Sequence, residues 1–349
     1  MSAGLRDLAV DRPARKGLPV FVACAVALLL AVAASLLYGS QPVPAVDVLA
    51  YLRGQQGNLV EANASVMALR VPRTVLGLVC GISLGVAGAL CQAHTRNPLA
   101  DPGLLGVSSG AAAGVVLAIS VFHLVSPAQY TVFGLLGGLV AGSMVLGLAA
   151  RIRLANAATS LILAGSIITG VLNAVSSAVV LLDKVTMDRF RYWTVGSLSG
   201  RDASVLWDVG PWLALGLLLT VLNTSSLDAL ALGDDVASSL GRNVIRDRLV
   251  GLLAVVVLAS AATASMGAIA FLGLAAPHLA KRIAPGGLPG AVWLSGALGG
   301  AIMLLADTAG RLVLPTGELS VGIMLAILGA PLFILIARSP RMRRAVDSL

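Results

Sequence analysis

Few side chains in this 349-residue chain could carry out chemistry, and their spacing argues against an enzyme. The three cysteines lie in or beside apolar stretches, without a CxxC pair: Cys24, Cys80 and Cys91. We interpret them as packing residues, because neither a disulfide frame nor a metal site has this pattern. His94 and His123 are isolated in sequence, and His278 follows Pro277, where helix-end or interface contacts are expected. We therefore expect no catalytic residue and no metal ligand in this chain.

The ionisable residues at the edges of the apolar stretches are Asp183, Asp307, Arg311 and Glu318. Asp307 and Arg311 are one helical turn apart, which predicts a structural ion pair. A carrier driven by protons or sodium usually has carboxylates or broken helices near the middle of the membrane, and none is evident here. The chain also lacks a GxxxxGK[ST] loop, so we expect no cofactor on this chain and expect the energy for its function to come from a partner.

The composition indicates an integral membrane protein. Hydrophobic residues make up 58% of the chain and charged residues only 11%, which leaves too little polar surface for a soluble globule. The mean hydropathy is +0.94. Apolar stretches recur along the whole chain, so we predict one polytopic transmembrane domain over residues 1–349. The net charge of +8 lies mostly in tails and loops, and we expect membrane lipid, not nucleic acid, as its surroundings.

Ten spans are predicted, and the last four are short. The apolar stretch 249–279 would overshoot the bilayer as one helix, so a break is expected at 265–267. The predicted spans are 18–38, 71–91, 104–124, 130–150, 159–182, 205–222, two halves of 249–279, 292–305 and 322–336. Both tails, 1–17 and 338–349, are basic, which places them in the cytoplasm by the positive-inside rule and favours an even number of spans. The expected location is the plasma membrane.

A segment at 225–242, between spans six and seven, predicts two short amphipathic helices on the cytoplasmic side. Asp234 could cap the second helix and Gly241 could end it, while Val236, Ala237 and Leu240 would share one face. Short projecting helices of this kind suit a groove on another protein.

The chain resembles the permease subunits of type II ATP-binding-cassette (ABC) importers for iron-siderophores, haem and cobalamin. The resemblance covers nearly all of the chain. It rests on the order and spacing of these segments: RVPR (70–73), GALCQ (88–92), RNPLADP (96–102), WTVGSL (193–198), ALGD (231–234), SLG (239–241), GAIAFLGLAAPH (267–278), DTAGR (307–311) and ELSVG (318–322).

The resemblance implies an all-α fold of about ten transmembrane helices that pairs with a second permease subunit, the same or a similar one. It also implies two ATP-binding subunits below and an extracytoplasmic substrate-binding protein above. The segment 225–242, which we call the coupling segment, would receive the movement that the ATP-binding subunits make during hydrolysis. The residues that would take part are Leu232, Gly233, Asp234, Val236, Ala237, Leu240 and Gly241. The cytoplasmic gate would be formed by Asn97, Leu99, Thr159 and Ser160.

Arginines on the predicted outer side suggest a docking surface for an acidic binding protein, with Arg53, Arg70 and Arg73 as candidates. The alternative for Arg70 and Arg73 is that they extend to the outer interface without a partner. Small polar side chains could line a weakly binding pathway: Ser108, Ser109, Ser166, Thr169, Asn173, Ser176 and Ser177. The expected cargo is an iron chelate, haem or a corrinoid, and the alternative function is an ion-coupled secondary transporter.

Overall fold

The computed structural model describes residues 17–55, 60–152, 157–314 and 316–337. Every regular element in these ranges is helical. The helices are α1 Gly17–Leu37, α2 Ala45–Leu52, α3 Glu61–Thr95, α4 Val107–Ser120, α5 Pro127–Arg151, α6 Ala157–Leu182, α7 Lys184–Thr194, α8 Ala203–Thr224, α9 Leu227–Ala231, α10 Asp234–Ser239, α11 Val244–Met266, α12 Leu272–Ile283, α13 Gly287–Leu312 and α14 Val321–Ala337, with a 3-10 turn at Pro102–Leu105. Apart from Gly17, the predicted tails lie outside the described residues.

Each predicted span falls on one helix. Seven of the described helices are long and apolar enough to cross a membrane: α1, α3, α5, α6, α8, α11 and α13. The helices α4, α12 and α14 have 14, 12 and 17 residues. The total of ten crossings therefore stays a prediction.

The ninth predicted span was placed too short. We predicted 292–305, whereas α13 runs over 26 residues from Gly287 to Leu312. The helix continues past Asp307 and Arg311, although both are charged, because their side chains form ion pairs inside the protein. The second span likewise belongs to a longer helix, α3, of 35 residues.

Two further helices were not predicted. α2 lies in the loop after α1, and α7 follows α6 at once. Asp183 caps α7 by accepting hydrogen bonds from the backbone amides of Val185 and Thr186, both at 3.1 Å. Trp193, near the end of α7, is 2% exposed and packs in the interior.

The break predicted at 265–267 is confirmed. α11 ends at Met266, and Gly267 takes φ +90°, a left-handed conformation that glycine adopts without strain. A Cβ on Gly267 would lie 2.1 Å from the carbonyl oxygen of Trp193. The loop 193–198 packs here, with the amide of Ser197 donating to the Met266 carbonyl at 2.7 Å, and Gly322 donates to the Gly196 carbonyl at 3.1 Å. Three of the segments quoted above thus meet at one place.

α3 forms the centre of the bundle and packs at backbone distance against α13. A Cβ on Gly85 would lie 2.1 Å from the Ser295 carbonyl oxygen, and one on Gly81 would lie 2.7 Å from that of Gly299. Small residues at four-residue spacing allow this approach. The cysteines are free and buried in the interior.

Candidate functional site

The predicted coupling segment forms two short helices that glycines separate and end. Gly233, between α9 and α10, has φ +113°. After α10, Gly241 has φ +78° and donates to the Ser238 carbonyl at 2.9 Å, while Arg242 donates to the Ala237 carbonyl at 3.0 Å. This pair of bonds is a Schellman motif, so the prediction that Gly241 ends the helix is confirmed.

The capping role predicted for Asp234 is wrong. Gly233 occupies the N-cap position, and no side chain caps α10. The Asp234 carboxylate instead accepts hydrogen bonds from two arginines, Arg96 and Arg248, the latter at 3.0 and 3.2 Å. Burial alone would raise the pKa of Asp234, but Arg248 and Arg96 outweigh it and lower that pKa below its usual value. The carboxylate therefore stays ionised at neutral pH.

Three apolar side chains of the coupling segment face solvent. Leu232 is 65% exposed, Val236 43% and Leu240 62%. Ala237, which we predicted on the same face as Val236 and Leu240, is 0% exposed and packs inward. Because a six-residue helix turns little more than one and a half times, one inward contact leaves the other side chains pointing outward. The exposed set is therefore Leu232, Val236 and Leu240, which we call the coupling face.

The segment is fixed to the membrane helices on several sides. The Asp228 carboxylate accepts a hydrogen bond from the amide of Leu288, at the start of α13, at 3.0 Å. At the end of α8, the side-chain nitrogen Nδ2 of Asn223 donates to the Asp247 carbonyl of α11 at 2.6 Å and to Ser226 Oγ at 3.2 Å. The Asn223 side-chain oxygen lies 2.8 Å from His94 Nε2 at the end of α3. Sequence reasoning missed His94 and Asn223, because partners 129 residues apart leave no local pattern.

A cavity of about 430 Å³ lies beside the Asp234–Arg248 pair. Its other walls come from the ends of α5, α6 and α11 that lie next to the coupling segment, and include Ser160 of α6. A residue predicted for the gate and a residue predicted for coupling therefore line one cavity.

The other predicted gate residues are not among the residues that line this cavity. Asn97 and Leu99 form a tight turn, in which the Asn97 side-chain oxygen accepts from the Leu99 amide at 2.9 Å. Both are half-buried, Thr159 is exposed, and Ser160 is buried with its hydroxyl donating to the Ile152 carbonyl at 3.2 Å.

The polar residues predicted to line a pathway divide into two groups. Ser166, Asn173 and Ser177 are exposed and lie within a narrow sector of α6, since their spacing of seven and four residues returns to one face. Thr169 is half-buried and accepts a hydrogen bond from Ser109 of α4 at 3.3 Å, so these two hold helices together. Ser108 is half-buried on α4, and Ser176 is buried in a groove that α4, α5 and α6 enclose.

The end of the bundle opposite the coupling segment, which is predicted to face outward, carries a buried ionic cluster. The Asp307 side chain is 1% exposed. Its carboxylate accepts hydrogen bonds from two nitrogens of Arg73, Nη2 at 2.8 Å and Nε at 3.0 Å, and lies 3.3 Å from Arg311 Nε. Arg73 also binds Glu318 at 2.7 Å. The predicted Asp307–Arg311 pair is confirmed, and Arg73 is the partner that sequence reasoning missed.

Two of the three arginines predicted for docking are not free at the surface. Arg70 is 6% exposed and donates to three backbone carbonyls, of Leu36 at 3.0 Å, of Leu37 at 3.2 Å and of Gln41. Arg73 is committed to Asp307 and Glu318. Arg53, after α2, is exposed. A cavity of about 500 Å³ nonetheless opens beside Arg70, Arg73, Arg201 and Arg311 at this end.

Comparison with known proteins agrees with this architecture. A model of the FecCD transport family matches residues 27–339. The ferric enterobactin transport system permease protein FepD of Escherichia coli (strain K12) is 38% identical over 312 residues, 89% of this chain and 92% of that protein. The iron(3+)-hydroxamate import system permease protein FhuG of Bacillus subtilis (strain 168) is 36% identical over 278 residues, 76% of this chain and 81% of that protein.

The fold has a solved counterpart. An inward-facing structure of a metal-chelate type ABC transporter superposes with a TM-score of 0.77 at 24% identity, over 92% of this chain and 99% of that one. The chain belongs to the FecCD transport family. It is a multi-pass permease of the plasma membrane.

Proposed function

We propose that this chain is the membrane permease of an ABC importer that carries a ferric siderophore into the cytoplasm. The observation that carries the proposal is the coupling face, three exposed apolar side chains on helices tied to α3, α8, α11 and α13. Apolar groups on a cytoplasmic surface need a partner surface. Relatives named as permeases for ferric enterobactin and iron(3+)-hydroxamate support the cargo class; haem and cobalamin remain the alternatives that the family resemblance implies.

In this proposal the chain pairs with a second permease subunit, identical or similar, and the Ser166, Asn173 and Ser177 face of α6 lines the pathway between them. Uncharged hydroxyl and amide groups would contact a passing chelate without holding it strongly. Asn97, Leu99, Thr159 and Ser160 would narrow the cytoplasmic mouth. ATP and Mg²⁺ would bind to two ATPase subunits, and this chain would not hydrolyse ATP itself.

The test is ATPase activity in liposomes that hold this chain with its ATPase subunit and its binding protein. We expect the loaded binding protein to stimulate ATP hydrolysis. Replacing Leu232, Val236 and Leu240 together by serine should abolish that stimulation and weaken capture of the ATPase subunit. Val46→Ser is the matched control, because Val46 is 76% exposed on α2, at the opposite end of the chain's helices. Uptake driven by an ion gradient without an ATPase subunit would contradict the proposal.

We further propose that a binding protein docks on the outer face near Arg53. Arg53→Ala should weaken binding-protein affinity by about threefold to tenfold with little loss of stability, because an exposed charge acts mainly in steering and orientation. Arg70→Ala should instead lower thermal stability, because it removes the buried guanidinium that donates to the Leu36, Leu37 and Gln41 carbonyls. Equal binding-protein affinity of Arg53→Ala and the wild type would remove Arg53 from the docking surface.

A further inference from the structure

Arg96 connects two parts of the molecule that are far apart in sequence. Its guanidinium Nη2 donates to the Leu230 carbonyl of α9 at 2.7 Å and also bonds the Asp234 carboxylate at the start of α10. Its backbone directly precedes Asn97, the first residue of the turn predicted to form the cytoplasmic gate. One residue therefore contacts both coupling helices and begins the gate turn.

The turn that follows Arg96 is held by its own hydrogen bonds. Arg96 ends α3 in the left-handed region, with φ +49° and ψ +27°. Asn97 then accepts from the Leu99 amide at 2.9 Å and from the Ala100 amide at 3.1 Å, and Asp101 accepts from the Gly103 amide at 2.8 Å. A turn braced in this way passes a displacement of Arg96 along the chain instead of absorbing it.

Asp234 is shared between Arg96 and Arg248 of α11, so α10 is linked to both α3 and α11. The Arg96 and Asp234 side chains are 43% and 44% exposed. Ion pairs as exposed as this contribute little to folding stability. The Arg96–Asp234 contact joins residues that are 138 positions apart and adds little stability. Transmission of movement between the coupling segment and α3 explains it better than a role in folding.

We infer that Arg96 is the positioning residue that links movement of the coupling segment to the cytoplasmic gate. The inference rests on the proposed function. When the ATPase subunits displace α9 and α10, the Leu230 carbonyl and the Asp234 carboxylate would move the Arg96 side chain, and with it the Asn97–Leu99 turn. The other linkages of the segment run through Asp228 to α13 and through Asn223 to α11 and to His94 near the end of α3, but these bonds do not involve the Asn97–Leu99 turn itself.

The test compares ATP hydrolysis with uptake in the reconstituted complex. In Arg96→Gln we expect ATP hydrolysis that the loaded binding protein still stimulates, with uptake per ATP reduced at least about fivefold, the lower end of usual coupling between sites. Arg96→Lys should recover part of that ratio, because one ammonium group keeps the charge but cannot hold both acceptors in the geometry of a guanidinium. Arg246→Gln is the matched control, because Arg246 is an exposed arginine in the first turn of α11.

The outcomes separate this inference from the proposed function. No stimulated ATPase activity in the wild type would overturn both. A working wild type in which Arg96→Gln leaves the ratio unchanged, or lowers hydrolysis and uptake in parallel, would overturn the inference alone. A ratio that falls equally in Arg246→Gln would show a general effect of charge and would also overturn it.

A second variant covers the case in which Arg96→Gln does not assemble. Asp234→Asn removes the carboxylate and keeps the Arg96 bond to the Leu230 carbonyl. We expect it to lower uptake per ATP, and the double variant should be no worse than the more affected single one, because both changes cut the Arg96–Asp234 pair and the Asp234–Arg248 pair is already lost in Asp234→Asn. Additive losses in the double variant, or an unchanged ratio in Asp234→Asn, would contradict the inference.

Discussion

At the scale of single residues, Asp307 shows how this protein keeps charge inside an apolar bundle. The carboxylate is nearly inaccessible and is bonded to Arg73 of α3, while Arg311 of its own helix lies against it. Arg311 in turn donates to the Ser35 carbonyl of α1 at 3.1 Å and to Ser35 Oγ at 3.0 Å. These contacts join α1, α3 and α13 at the outer end. A buried charge is tolerated here because each of these groups has a partner.

Replacing Asp307 by asparagine should therefore destabilise the protein by about 3 kcal/mol, since it leaves Arg73 and Arg311 buried without their shared counter-ion. Thermal unfolding of the purified protein in detergent measures this. Asp188→Asn is the matched control: its pair with Arg191 is exposed and 3.6 Å long, and it should cost less than about 1 kcal/mol. Equal losses in the two variants would contradict a structural role for the cluster.

At the scale of helices, local patterns could be read from the sequence and distant partners could not. Gly241 ends α10 and the 265–267 break ends α11, because glycine at a helix end acts through its own backbone. We predicted Arg70 and Arg73 at the surface, because the groups that accept their hydrogen bonds are distant in sequence and no local pattern indicates them. The Arg73 partner, Asp307, is 234 residues away. Separations of 138 and 129 residues likewise concealed the Arg96–Asp234 and His94–Asn223 contacts.

The contact of α3 with α13 gives a prediction at this scale. Gly85→Ala should destabilise the bundle by about 1–3 kcal/mol or more, because the new methyl group would lie 2.1 Å from the Ser295 carbonyl oxygen and the helices would have to separate. Gly210→Ala, in α8, has open space around the added Cβ and should be neutral or slightly stabilising, since alanine favours a helix over glycine. Thermal unfolding compares the two. A Gly85→Ala protein as stable as Gly210→Ala would mean that α3 and α13 do not pack at backbone distance.

At the scale of the whole molecule, three acidic residues with ion-pair or capping roles lie at or near helix ends. Asp307 is near the outer end of α13, Asp234 begins α10, and Asp183 precedes α7. Each already has a bonding partner within the chain: arginines bind the first two, and the backbone amides at the start of α7 bind the third. Protonation of Asp307 would leave two arginines buried without their shared counter-ion, so the fold disfavours this carboxylate as the carrier of a driving proton. The energy for transport is therefore expected to enter through the coupling face.

This arrangement predicts the energy source of uptake. In liposomes that hold the complete complex, a protonophore should leave ATP-driven uptake of a ferric siderophore unchanged, whereas omitting the ATPase subunit should abolish uptake at any imposed proton or sodium gradient. The variant with serine at Leu232, Val236 and Leu240 should behave as if the ATPase subunit were missing. It removes the apolar contact through which the ATPase subunit would move the coupling segment. The Val46→Ser complex should match the wild type. If the protonophore stopped uptake while ATP hydrolysis continued, the ion gradient would be the driving force, and the coupling face would need another partner.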